Sequence, residues 1–176
     1  MEKRKMVARA VGVSAVCGKL LSTFVYNMRY TSYSLNDTKK IAEQAIAEIS
    51  STFSNTKRTT ATVVALQGDL GSGKTTFVQC VARSLGVTTH ITSPTFLIIK
   101  TYKLKTKNYK LLYHLDAYRL KSGDELLKLG WQELISNPKN LIFIEWPERV
   151  SEILPPDSLK LHFEFVNETT RAIEIE

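Results

Sequence analysis

Cysteine and histidine are too few in this 176-residue chain, and too poorly spaced, to build a covalent framework or a metal centre. Cys17 lies in a basic leader and Cys80 in a candidate helix, so the pair makes no disulfide scaffold and a reducing compartment is expected. His90, His114 and His162 show no metal-ligand spacing with one another or with the cysteines, which argues against a structural zinc site. Long apolar runs are missing as well. The stretch Ala10–Gly18 ends at Lys19 and is too short to span a bilayer. No internal repeat or linker divides the chain, and 43% hydrophobic with 23% charged residues is ordinary for one soluble globule with a sizeable core.

Acidic residues are absent from Met1–Asn27 after Glu2. The formal charge of +7 is concentrated there: residues 1–30 hold six Lys/Arg against one acid, whereas residues 31–176 hold 18 against 16. Bulk charge therefore gives no argument for nucleic-acid binding by the folded part. Three readings fit the leader: a disordered basic tail, an organelle-targeting or signal-like segment, or sequence upstream of a true start at Met28. In each, residues 1–30 form a basic N-terminal extension and residues 31–176 the domain.

What the chain does contain is a phosphate-binding loop. Gly68-Asp69-Leu70-Gly71-Ser72-Gly73-Lys74-Thr75 follows Thr62–Gln67, a β-branched and aliphatic run suited to a buried parallel strand. It leads into Thr75–Leu85, a helical pattern that Gly86 can stop. Glycines let successive N–H groups turn inward around phosphate oxygens, and the helix dipole adds positive potential. Lys74 would meet the β- and γ-phosphates, and the Thr75 hydroxyl, followed by Thr76, would ligate Mg²⁺. No Asn/Thr-Lys-x-Asp segment is present, so guanine lacks its usual determinant and ATP is the expected nucleotide.

Hydrolysis needs acids on the γ-phosphate side. Leu141-Ile-Phe-Ile-Glu145 is an apolar run ending in an acid, which has the Walker B form with Glu in place of the commoner Asp. Glu145 would hold the metal or orient water; the alternative is a solvated carboxylate at a strand end. Asp116, after Tyr109–Leu115, is the second candidate, against a turn or N-cap aspartate. Ser93-Pro94-Thr95 offers hydroxyls on a rigid turn, either a γ-phosphate switch or a plain turn. Lys100, Lys103, Lys105, Lys107 and Lys110 fit a protected edge strand better than a binding patch.

Around these motifs, Ser34–Asp37 has capping-box spacing before a helix with Ile41, Ala42, Ala45, Ile46, Ile49 and Phe53 on one face. Residues 96–100 and 109–115 read as a β-hairpin, Ser122–Glu125 as a second capping box opening a short helix, and 159–165 and 172–175 as closing strands.

Taken in order, Gly68–Thr76, Ser93-Pro-Thr-Phe96, His114-Leu-Asp-Ala-Tyr-Arg-Leu120, Ile144-Glu-Trp-Pro-Glu-Arg149 and Leu154-Pro resemble the TsaE (YjeE) family over about residues 31–176. The resemblance implies an α/β, P-loop NTPase-like domain. Its central sheet is mixed and mainly parallel, flanked by helices, with a β-hairpin and C-terminal strands. It implies a cytoplasmic ATPase using ATP and Mg²⁺, which supports threonylcarbamoyladenosine modification of tRNA beside the anticodon by acting on a TsaB–TsaD complex. Residue by residue, Lys74 and Thr75 would serve phosphate and Mg²⁺, Glu145 the metal, Asp116 turnover, Thr95 a switch, and Trp146 packing beside the site. Ser72 stands where Ala is frequent and Ala117 where Leu is frequent. Two other readings remain on the residues alone. One is a small-molecule P-loop kinase, although Arg83, Arg119, Arg149 and Arg171 are few for a lid; the other is a nucleotide-gated binding subunit without significant hydrolysis.

Overall fold

A computed structural model describes residues 9–10, 28–54 and 58–176. The readings made for the rest of the basic leader, and for Cys17, lie outside the described residues. The elements are β1 (Arg9–Ala10), β2 (Met28–Ser32), α1 (Leu35–Ser54), β3 (Thr62–Gln67), α2 (Lys74–Ser84), β4 (Ile99–Lys103), β5 (Leu111–Asp116), α3 (Gly123–Lys128), α4 (Trp131–Ile135), β6 (Asn140–Glu145), β7 (Leu159–Phe165) and β8 (Arg171–Ile175). Two single-turn 3₁₀ helices, Pro147–Arg149 and Ser151–Ile153, follow β6.

The strands form one mixed sheet in the order β1-β2-β8-β7-β3-β6-β5-β4. The inner four, β7, β3, β6 and β5, run parallel to one another, and the pairings outside them are antiparallel. This is the expected mixed sheet with its parallel part at the centre, although three parallel pairings stand against four antiparallel ones, so it is less parallel than expected. Every residue of β6 is buried and all of β3 except Gln67, as continuous apolar runs in parallel strands require. Alternation then assigns the faces. Val64, Leu66, Leu141 and Phe143 pack with α1 and α2, whereas Val63, Ala65, Ile142 and Ile144 pack with Leu126 and Trp131 of α3 and α4. Each large side chain so buried contributes roughly 1.5–3 kcal/mol.

Local chemistry explains where several elements begin. At α1, the Ser34 hydroxyl accepts from the Asp37 N–H (3.2 Å), and the Asp37 carboxylate reaches one residue further back than a standard capping box, to the N–H of Tyr33 (3.1 Å). At α3 the second expected box does not form. Ser122 makes no side-chain cap bond, and the Glu152 carboxylate takes the Gly123 N–H at 2.6 Å. A distant carboxylate thus serves the first N–H of the helix, and that bond holds the Glu152 carboxyl below its ordinary value.

Several boundaries differ from the sequence reading, and backbone contacts explain two of them. The hairpin strand begins at Ile99 instead of Phe96, because Ile98 has φ 64° and the N–H groups of Leu97 and Ile98 both turn back to the Pro94 carbonyl. Met28, Arg29 and Tyr30, counted with the extension from sequence, form β2 beside β8, with Met28 opposite Ile175. Beyond it, Arg9 and Ala10 pair with Arg29 and Met28. Asp37→Ala should cost about 1 kcal/mol through the lost cap, a fall in Tm of about 2–4 °C by thermal denaturation.

Candidate functional site

The carboxyl ends of β3, β6 and β5 lie side by side. Leu66 is opposite Glu145, and Glu145 is opposite Asp116, so three separate motifs meet at one edge of the sheet. From β3 the chain enters the Gly68–Gly73 loop, where Gly68, Gly71 and Gly73 have φ of 134°, 78° and 104°. Gly68 has a second reason to be glycine, since a Cβ there would overlap the carbonyl oxygen of Phe163 on β7. Helix α2 then starts at Lys74 with no side-chain cap, and its first N–H groups have no intrahelical acceptors. Such an N-terminus is suited to an anion.

The Lys74 side chain is buried (4% exposed), and its Nζ donates to the carbonyls of Gly68 (2.6 Å) and Asp69 (2.9 Å) while lying 4.3 Å from the centre of the Trp146 ring. Burial pushes its pKa below the usual lysine value, and the negative charges of Glu145, Asp116, Glu148 and Asp69 oppose that shift. Trp146 is in the left-handed region at φ 59°, a costly conformation for a non-glycine residue, and its ring rests 5.0 Å from that of Tyr118.

Glu145 is buried. Its Oε1 accepts two hydrogen bonds of 2.7 Å, one from the Thr75 hydroxyl and one from His114 Nε2. Asp116 is also buried: Oδ2 accepts from the Thr95 hydroxyl at 2.5 Å, and Oδ1 from the Tyr118 N–H at 3.0 Å. The second bond is an Asx-turn contact, so Asp116 also shapes the turn after β5. Ser93 extends the chain of hydroxyls, 2.6 Å from Thr95.

The chain matches the family model "Threonylcarbamoyl adenosine biosynthesis protein TsaE" over residues 33–173. It belongs to the TsaE family. Among relatives, the tRNA threonylcarbamoyladenosine biosynthesis protein TsaE of Rickettsia felis is 41% identical over 114 residues, 64% of this chain and 64% of that protein. The chain thus spans just under two thirds of that relative's length. The Bacillus subtilis protein of the same name is 35% identical over 130 residues, 74% and 76% of the respective chains. The crystal structure of Bacillus subtilis YdiB superposes with a TM-score of 0.64 at 28% identity, covering 88% of this chain and 87% of that one.

Within this TsaE-family chain, the fold gathers most of the residues singled out from sequence. Lys74, Thr75, Thr95, Asp116, Glu145 and Trp146 are linked by the contacts above. Leu70 points away into solvent (84% exposed), and Asp69 serves through its carbonyl instead of its carboxylate. Thr76 faces a different space: a pocket of about 380 Å³ on the other flank of the loop, lined with Gly71, Ser72 and Gly73 by Ser32, Thr38 and Arg171. Neither Glu145 nor Asp116 lines it. Sequence reasoning missed that pocket and missed His114, although His114 sits two positions before Asp116 in a run that alternates like a strand.

The donor chemistry fits Mg²⁺. A threonine hydroxyl that gives its proton to a carboxylate keeps its lone pairs for a cation, and hydroxyl and carboxylate oxygens are the hard ligands Mg²⁺ prefers. Lys74→Ala should weaken ATP binding on the order of 10- to 100-fold, by loss of a charge-assisted contact, without lowering Tm. Titration of a fluorescent ATP analogue checks the first part and thermal denaturation the second. Gly68→Ala should instead lower stability by at least about 2 kcal/mol, from steric overlap and positive φ together.

Proposed function

We propose that this chain is a Mg²⁺-dependent ATPase that assists threonylcarbamoyladenosine modification of tRNA, acting in the cytoplasm on a TsaB–TsaD complex. The observation that carries the ATPase reading is the Thr75–Glu145 hydrogen bond, with Asp116 on the neighbouring strand, at the mouth of a glycine loop with uncapped N–H groups. The modification role rests on the family and on the names of the relatives.

In this reading the loop N–H groups and Lys74 bind the phosphates, and the pocket beside Thr76 takes the adenosine part. Lys74 exchanges the carbonyls of Gly68 and Asp69 for phosphate oxygens. Thr75 and Glu145 hold Mg²⁺, which draws charge from the phosphate oxygens when bound. Asp116 orients the attacking water. The water oxygen bonds to the γ-phosphorus as the bond to the bridging oxygen breaks, giving ADP and phosphate. Thr95 reports on that end of the nucleotide through its bond to Asp116. Phe96 and Leu97, next in sequence, are 83% and 68% exposed, so a change at Thr95 would alter an apolar surface that a partner can touch.

Glu145→Gln and Asp116→Asn keep side-chain shape and remove charge. Each should bind ATP within a few-fold of the parent, while hydrolysis in the presence of the partner pair falls on the order of 100-fold. Parent-rate hydrolysis by both variants would refute the assignment. Pull-down of TsaB and TsaD with a non-hydrolysable ATP analogue, ADP or no nucleotide should give unequal capture. Equal capture, with no effect of the pair on turnover, would favour a small-molecule kinase. Unequal capture without turnover would favour a nucleotide-gated subunit.

A further inference from the structure

Beyond the loop lysine and the two acids, the structure places one more polar group deep in the site. His114 lies on β5, its backbone opposite Phe143 of β6 and Lys100 of β4, and its side chain is fully buried. Its Nε2 is bonded to Glu145 Oε1, and its Nδ1 is buried with no hydrogen-bond partner. A ring kept only to fill space would be better replaced by hydrocarbon, which leaves no nitrogen unpaired. The imidazole therefore owes its place to the bond it makes.

We infer that His114 is a positioning residue for Glu145. The carboxylate projects from the end of β6 on the face it shares with Leu66 and Phe143, apolar side chains that offer it no hydrogen bond. Two donors hold one of its oxygens, Thr75 from the helix side and His114 from the strand side. Oε2 takes no hydrogen bond among the described residues, so pinning Oε1 from both sides fixes where the other oxygen points. With Thr75 alone, the carboxylate could turn about a single contact. Orienting partners behind ligating groups typically govern 10- to 100-fold in metal affinity or activity. The inference rests on the reading of Glu145 as the Mg²⁺ residue and adds the group that aims it.

The test uses the full chain with His114→Leu, which fills the space without a donor, and His114→Gln, whose amide N–H reaches a similar distance. ATP affinity without divalent cation, Mn²⁺ affinity in the presence of ATP by electron paramagnetic resonance, kcat with the partner pair, and Tm are compared with the parent and with Glu145→Gln. In His114→Leu the expected result is an unchanged or higher Tm, ATP affinity within about two-fold, and Mn²⁺ affinity and kcat each lower by about 10-fold or more. His114→Gln should recover most of that loss. Unchanged Mn²⁺ affinity and kcat in His114→Leu would overturn the inference. So would losses in both variants that simply follow a fall in Tm, the behaviour of an ordinary core histidine. If Glu145→Gln binds Mn²⁺ like the parent, the reading of Glu145 itself fails, and this result is distinguishable because it appears without any change at His114.

Discussion

The parallel pairing of β3 with β6 is the constraint on which the site depends. It sets Leu66 beside Glu145, so that the turn out of one strand becomes the phosphate loop and the end of the other delivers a carboxylate to it. A slip of one residue in this register would move Glu145 to the opposite face, away from Thr75. The register is fixed on both sides of the sheet. Leu66 and Phe143 are locked under α1 and α2, while Ala65 and Ile144 are locked against the face covered by α3 and α4. The precision of a 2.7 Å contact thus comes from two hydrophobic layers, neither of which touches the chemistry directly.

Much of this was legible in the chain before any coordinates. The glycine loop carries its own geometry, because glycine takes the positive φ angles at 68, 71 and 73 without the cost other residues meet, and the run Leu141–Ile144 is apolar throughout as a central strand must be. What was not legible required knowledge of partners distant in sequence. Strand β2 is five residues whose burial depends on β8, nearly the whole chain away, and Met28-Arg-Tyr has no local signal strong enough to separate it from a basic leader. At α3 Ser122 makes no side-chain cap bond, and the Gly123 N–H is met by Glu152, 29 positions on. His114 read as one more residue of a strand, and its bond to Glu145 spans 31 positions. Sequence patterns report propensity and periodicity; pairings of this kind are properties of the packed sheet.

Several features here cost stability. Lys74 is buried, Trp146 adopts a left-handed backbone, His114 Nδ1 and Ser72 Oγ are buried without partners, and Asp116 and Glu145 are carboxylates with little solvent. They cluster at one end of the sheet. Elsewhere the two cores are formed almost entirely of hydrocarbon and aromatic side chains, and these offset the cost. That division of labour is the expected arrangement for a domain that must keep charge and strain ready in a defined place.

The position of Trp146 has an optical consequence. The chain has two tryptophans: Trp131 is fully buried with its indole N–H bonded to the Ile153 carbonyl, whereas Trp146 is half-buried with the Lys74 ammonium over its ring. One indole therefore emits from a fixed apolar environment, while the other sits in the electric field of the very cation that phosphate would draw away. The intrinsic fluorescence of the unlabelled protein divides into a constant background and a signal tied to the loop, so its emission can follow occupancy of the site in real time without a dye.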